Sequence, residues 1–223
     1  MTVRPAAGGG RLVDVAPERL TRWLDGFAAR HGGVARTEPR SGGVRFVAAD
    51  GALAEVSLPY GGNPTDQDEL VREALTDRRI GLLLARRGAY AVGIAVGDTL
   101  TSSKVDRQYV QGRTAAGGWS QQRFARRRQN QARQAATAAA DVAARLLLPE
   151  IRQLDAVVAG GDRQAIDAVL ADRRLEPVRG KLGGWFLTVP EPRQTVLAEA
   201  AKLARMVRIR VVEPGRDVST EHD

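Results

Sequence analysis

The 223 residues contain no cysteine and almost no histidine. Without cysteine there is no disulfide framework, no thiolate zinc site and no cysteine nucleophile. The two histidines are His31 and His222, and the second lies in a polar tail. A cluster of histidine ligands is therefore excluded, and a Ser-His-Asp triad would have to rest on His31 alone. No window approaches the roughly 18–20 continuous apolar residues of a membrane helix. The leading residues MTVRPAAGGGRLVDV hold no apolar signal-peptide core. The expectation is a cytoplasmic protein with no membrane partner, no metal and no cofactor.

What the chain has is positive charge. Its net charge is +8 and its pI near 10.8, which points to an anionic partner, most simply nucleic acid. Only Lys104, Lys181 and Lys202 are lysines; the rest of the cationic charge is arginine. Guanidinium suits phosphate recognition and base stacking better than ammonium does.

Residues 1–11, with the run Gly8-Gly9-Gly10, read as a flexible lead, and 215–223 as a disordered polar tail. Between them, Leu20, Trp23, Leu24 and Phe27 recur at helical spacing over Ala16–His31, and Gly32-Gly33 ends that helix. Gly43–Ala48 and Ala52–Leu58 read as strands joined by an Asp50-Gly51 turn. Asp66–Asp77 reads as a helix burying Leu70, Val71, Ala74 and Leu75. Ile80–Ala85 fits a fully buried strand, Ala89–Ala95 its hairpin partner, and Thr99–Val110 a third strand. A long helix is expected from about Gln121 to Leu148. After it come strand Ala156–Ala159, helix Asp162–Ala171, strand Gly184–Val189, helix Pro192–Ala204 and strand Val207–Val212. The economical fold is one α/β domain over 12–214, a mixed sheet with packed helices, in which 12–75 can form an N-terminal subdomain. A monomer is the default.

Gln111–Ser120 is the unusual stretch, glycine-rich and leading straight into the long helix. At about 100° per residue, Arg123, Arg126, Arg127, Asn130 and Arg133 share one arc of the helix. Phe124, Ala135, Ala139, Val142 and Leu146 occupy a roughly opposite one. Like charges so placed repel by a few tenths of a kcal/mol per neighbouring pair. They also stand near a helix N-terminus, whose dipole favours anions rather than cations. Such a face gains nothing without an anionic partner, and glycines let the preceding backbone enter a narrow space.

The run from Gly117 to Arg128 reads Gly-Gly-Trp-Ser-Gln-Gln-Arg-Phe-Ala-Arg-Arg-Arg. It resembles the catalytic loop and helix start of the middle domain of eukaryotic and archaeal class-1 peptide release factors. That pattern is Gly-Gly-Gln-Ser, two residues, then Arg-Phe-Ala-Arg. Gly117, Gly118, Ser120, Arg123, Phe124, Ala125, Arg126 and Arg128 match it. The resemblance extends more loosely over 80–212 and is nearest to the single-domain, release-factor-like hydrolases of ribosome quality control, in their bacterial branch. It implies an RNase H-like α/β fold, partnership with the large ribosomal subunit (rRNA) and peptidyl-tRNA, and cleavage of the peptidyl-tRNA ester.

Two departures shape the expectation. Trp119 stands where the release factors hold their catalytic glutamine, so that role falls to Gln121 first and Gln122 second. Secondly, 223 residues leave no room for a stop-codon-reading domain, so codon-independent action is expected. The expected catalytic set is Gln121, Gln122, Gly117 and Gly118. The expected RNA contacts are Arg113, Trp119, Arg123, Arg126, Arg127 and Arg133, with Trp119 either stacking on a base or anchoring the loop. A non-catalytic ribosome or RNA binder would use the same loop and helix. A metal nuclease would need carboxylates brought together, and Asp50, Glu55, Asp98 and Asp155 are scattered in sequence. Asp98 and Asp106 precede the loop and Asp141 follows it, none with the look of a general base. Gly160-Gly161-Asp162 reads as a structural turn with Asp162 as helix cap.

Overall fold

The computed structural model describes residues 2–7, 9–86, 88–107 and 119–215, with side chains over the same ranges apart from 119–129. It divides into two compact units: Met1–Thr76 with Arg205–Asp223, and Asp77–Ala204. The first unit begins with β1 (Thr2–Pro5), β2 (Arg11–Val15), α1 (Leu20–Arg30) and β3 (Val34–Arg40). It continues with β4 (Gly43–Ala48), β5 (Leu53–Ser57) and α2 (Gln67–Leu75). The second holds β6 (Arg79–Arg86), β7 (Ala89–Val96), β8 (Thr99–Arg107), α3 (Trp119–Leu147) and β9 (Ala156–Gly161). It ends with α4 (Arg163–Leu170), α5 (Glu176–Arg179) and α6 (Gln194–Ala204), and β10 (Val207–Val212) returns to the first unit.

In the first unit an antiparallel sheet runs in the order β1-β2-β10-β5-β4-β3. Leu20, Leu24 and Phe27 of α1 and Leu70 of α2 pack into a core with Val13, Val44, Phe46, Val56 and Ile209. The stripe read from α1 is the one that is buried. Gly33 donates to Ala28 O at 2.8 Å after Gly32 turns left-handed at φ 76, which closes the helix. His31 is buried beside Phe27, with Nδ1 2.8 Å from Asp50 Oδ2. It serves packing and a loop contact.

Several elements differ from the sequence reading. Thr2–Pro5, expected in a flexible lead, pairs with β2, because its extended backbone meets an open strand edge. Val34–Arg40 carried no strand signal, since its sequence VARTEPR has no apolar alternation; pairing with β4 makes it one. Leu75, placed in the buried stripe of α2, is 45% exposed in the last turn. Gly184–Val189 is not a strand of the ladder: it makes a single isolated bridge, Leu187 beside Gly160 of β9, and Leu182 just before it makes another with Val157. Val207–Val212 leaves the second unit altogether. Its alternation puts Val207, Ile209 and Val211 in the first core and turns Arg208 and Arg210 to the other face.

The second unit has the mixed α/β form. β6, β7 and β8 make an antiparallel meander and β9 lies parallel to β6, giving the order β8-β7-β6-β9. This is the strand order and direction of an RNase H-like sheet, with α3 as the crossover before β9. Ile80 to Ala85 are all buried, as a strand covered on both faces must be. On one face Leu83, Val92, Ile94 and Val157 pack against Ala139, Ala143 and Leu147 of α3 and Ile166 of α4. On the other, a side chain at Gly93 would meet Leu197 of α6, so that helix lies close against the sheet. Asp162 caps α4, accepting from Ala165 N at 3.0 Å, the structural role read from sequence.

Candidate functional site

The glycine-rich segment is mounted between β8 and α3. Arg113, Gly117 and Gly118 lie outside the described residues, so the site is built from its two stems. On the strand side, Asp106 accepts from Arg107 N at 2.7 Å and hydrogen-bonds the Tyr90 hydroxyl. Burial, reinforced by the Asp106 charge, pushes the Tyr90 phenol above its ordinary value, so at neutral pH it donates as a neutral hydroxyl. Arg107 pairs with Glu191 at 3.2 Å. These two contacts hold the strand end on opposite sides of the chain where β8 stops. Tyr90 sits in an apolar run, and nothing in its sequence surroundings announced the role.

On the helix side, α3 starts at Trp119, two residues before the expected Gln121. Trp119, Ser120, Gln121 and Gln122 therefore form its first turn, where an α-helix leaves four N–H groups without intrahelical acceptors. Nothing acidic stands in that turn to occupy them. At about 1.5 Å per residue the 29 residues span roughly 43 Å.

Among the described side chains of α3 burial begins at Ala135 and continues through Ala139, Ala140, Val142, Ala143 and Leu147. Asn130, Arg133, Gln134, Thr137 and Asp141 are exposed. The boundary agrees with the two arcs computed from sequence, except that Leu147 takes the fully buried place and Leu146 is half-buried. The exposed arc continues the helical phase of positions 123, 126 and 127, whose side chains lie outside the described ones. Over 119–134 the sequence holds Arg123, Arg126, Arg127, Arg128 and Arg133 and no Asp or Glu. Arg133 is exposed, and no carboxylate among the described residues pairs with its guanidinium. The cationic end and the anchored end are thus separate halves of one helix.

The carboxylates near the site are committed elsewhere. Asp141 accepts from Arg174 at 2.6 Å, which fastens α3 to the turn after α4. Arg174 also binds Asp172, and its hydrogen bonds hold the Asp172 carboxyl down at about 2. Asp98 accepts from Thr99 in the β7–β8 turn, and Asp155 accepts from Arg79 N at 2.8 Å. Asp50 and Glu55 belong to the first unit, engaged by His31 and by Arg45 and Arg210. Among the described residues no group of three or more His, Asp or Glu is placed to hold a metal ion. None of their helices is long and apolar enough to cross a membrane.

The comparisons with known proteins bear on this arrangement. No curated protein matches the chain. In shape it is similar to the crystal structure of the archaeal translation termination factor aRF1, at 15% identity and a TM-score of 0.39, covering 72% of this chain and 51% of that one. It is similar also to Saccharomyces cerevisiae Dom34, a translation termination-like factor of RNA quality control pathways, at 10% identity and a TM-score of 0.32, covering 91% and 69%. The chain spans about half the length of the archaeal factor. Residues 78–210, more than half of the sequence and the whole of the stem-and-helix arrangement, match the model of the Actinobacteria/chloroflexi VLRF1 release factors, and the chain belongs to that family.

Proposed function

We propose that this release-factor-family chain is a peptidyl-tRNA hydrolase. In this reading it works on the large ribosomal subunit and releases stalled nascent chains without reading a codon. The observation that carries the proposal is the place of Gln121 and Gln122. They stand in the first turn of α3, separated from Gly117-Gly118 by Trp119 and Ser120 and immediately before an arginine-rich, acid-free stretch of helix.

Each part has a chemical task. The substrate is the ester joining the nascent peptide to the terminal ribose of tRNA, and its hydrolysis needs a placed water and a stabilised oxyanion. Glutamine can hold a water through its carbonyl oxygen or its amide NH₂, but it cannot take a proton near neutral pH. The tRNA ribose hydroxyl then relays the proton, and backbone N–H groups at the helix start meet the developing negative charge. Arg123, Arg126, Arg127 and Arg133 contact rRNA or tRNA phosphates, with Arg113 on the loop. Trp119 stacks on a base, a contact worth roughly 1–3 kcal/mol. The engagement of Asp98, Asp106 and Asp141 in structural contacts supports a mechanism without a carboxylate base.

One observation favours a second reading. Trp119 fills the position of the release-factor glutamine, so a chain whose two glutamines miss the ester would bind the ribosome without cleaving. Peptide release from peptidyl-tRNA on isolated large subunits separates the two, with Gln121→Ala and Gln122→Ala assayed beside the wild type. Loss of release with binding intact supports the hydrolase; binding without release in the wild type supports the second reading.

A further inference from the structure

One end of the second unit's sheet gathers more than the stems of the glycine-rich segment. Register brings Arg86, Ala89 and Arg107 together there, where β6 ends, β7 begins and β8 ends, and β9 ends in the same row at Gly161. α4 starts from that end, directly after Gly161 and Asp162. Beyond α5 the chain comes back alongside β9. Leu187 N donates to Ala159 O and Gly161 N to Leu187 O, both at 2.9 Å. A side chain at Gly160 would meet Leu187 O, so this close approach needs glycine. The same bonds fix Phe186 beside the first turn of α4.

Arg163 lies over the Phe186 ring, its Cζ 4.2 Å from the centroid. Phe186 is half-buried against the core and Arg163 is exposed. The stem of any long side chain could shield such a ring. Here the guanidinium itself covers it. Asp167 stands one turn along α4, at the spacing of a helical ion pair, and Arg163 makes none with it. The first turn of a helix is also the wrong place for a cation, because the dipole there is positive. Neither charge pairing nor helix stability accounts for this arginine. With one face on Phe186, it turns its other face and its N–H edge outward.

α3 supplies the neighbouring surface. It packs beside α4 and runs the same way, since its Leu147 reaches Gly81 near the far end of β6. The Asp141–Arg174 contact fixes the two helices against each other just past α4. Arg133 and Asn130 stand about 12–16 Å back along α3 from Asp141, level with the start of α4. Both are exposed. No carboxylate among the described residues pairs with Arg133 or Arg163. The unit around them holds 21 Arg and Lys against 12 Asp and Glu in its sequence, whereas the first unit has 13 against 14.

We propose that Arg163, laid on Phe186, stacks on an unpaired base of RNA while Arg133 and Asn130 hold the adjoining backbone. Two features of the surface choose that occupant. A guanidinium with one face on a ring and the other outward receives a planar π-system, and arginine planes are stacking surfaces for splayed-out bases. Guanidiniums without carboxylate partners, in a strongly cationic unit, receive phosphates. A polymer that carries both is a nucleic acid. RNA rather than DNA follows from the release factor family, whose model matches residues 78–210 and so every residue of this surface. Every base has a π-face, so the contact carries no base preference. The inference rests on the RNA partner of the proposed function and not on its ester chemistry.

The test is binding of the full chain to a single-stranded RNA oligonucleotide of mixed sequence by fluorescence anisotropy over a salt series. An abasic oligonucleotide of the same length is run beside it. Arg163→Lys keeps the charge and loses the planar face. It should weaken binding to the base-bearing RNA about three- to tenfold with the salt slope unchanged, and bind the abasic strand as the wild type does. Arg163→Gln should lose affinity likewise and lower the slope of log K against log salt by about 0.7, the value of one contact on a single strand. Arg152→Gln removes an exposed arginine just before the opposite end of β9 and should change neither quantity. The proposal is overturned if Arg163→Lys binds the base-bearing RNA as tightly as the wild type, or loses as much on the abasic strand. It is overturned equally if Arg152→Gln matches Arg163→Gln, or if the losses appear only with anionic phospholipid vesicles. Should Arg163→Gln unfold at a lower temperature, Arg163→Lys decides alone. Only binding is read, so a failure of the hydrolase reading shows in peptide release and not here.

Discussion

The two units of this chain have nearly the same fraction of charged residues and opposite electrostatic character. The second holds 21 Arg and Lys against 12 Asp and Glu, a net +9, while the first comes to −1. Averaged over the chain, +8 looks like a generally basic protein. Resolved by unit, it is one cationic body that carries the glycine-rich segment and a near-neutral one whose arginines are mostly tied to carboxylates. Within the second unit the asymmetry sharpens again, because α3 gathers five arginines into its first sixteen residues and no acid. Net charge names a class of partner; only its distribution names a surface.

The widest test of this contrast is to loosen the anchored half of α3. Leu147 is fully buried against the sheet, and Leu147→Ala should cost about 2–5 kcal/mol in chemical denaturation. A cost below 1 kcal/mol would mean that the helix is not held by this core. Gly161 sits at φ +103, with the space of a Cβ taken by Ala85 O. Gly161→Ala should destabilise the second unit by about 1–3 kcal/mol. Exchanging Arg123, Arg126 and Arg127 for glutamine should lower the salt slope of large-subunit binding by roughly 2–3. The same exchange at Arg19, Arg22 and Arg30 should not. Equal effects would dissolve the distinction between the units. Removal of the α4 cap by Asp162→Ala should cost about 1 kcal/mol.

The smallest effect is expected at Asp172, whose carboxyl is held at about 2 by Arg174. A folded-state value below the unfolded one stabilises above the unfolded value, and the contribution fades as pH falls through the folded one. Asp172→Asn should therefore lower stability slightly at neutral pH, by an amount that shrinks as pH falls toward 2 and is gone below it, read by denaturant titration at several pH values. A difference that grew toward low pH would contradict this sign.

Much of the second unit could be read from residues alone, because its elements are long, apolar and bounded by glycine turns. Ile80–Ala85 and the C-terminal half of α3 declare themselves by burial on one or both faces. The first unit was less legible for a physical reason: its sheet is completed by pieces without local signals. Val34–Arg40 has almost no apolar content, Thr2–Pro5 lies beside a glycine run, and β10 comes from the far end of the chain. The first two become strands through the neighbouring strand they pair with, and β10 through an edge almost two hundred residues away, which no window of residues contains. The site divided likewise. The arginine arc and the Gln121-Gln122 pair are visible in sequence, but the Tyr90–Asp106 contact and the commitment of Asp141 to Arg174 depend on tertiary approach.

The central claim is that α3 delivers a glutamine to the peptidyl-tRNA ester, and peptide release tests it most directly. Wild type, Gln121→Ala and Gln122→Ala are compared on isolated large subunits carrying labelled peptidyl-tRNA, with binding measured in the same samples. The account predicts release by the wild type and a loss of about 10²–10³ in rate for one glutamine variant that still binds, the scale of removing one transition-state contact. Release by both variants at the wild-type rate, or tight binding with no release by the wild type, would contradict it.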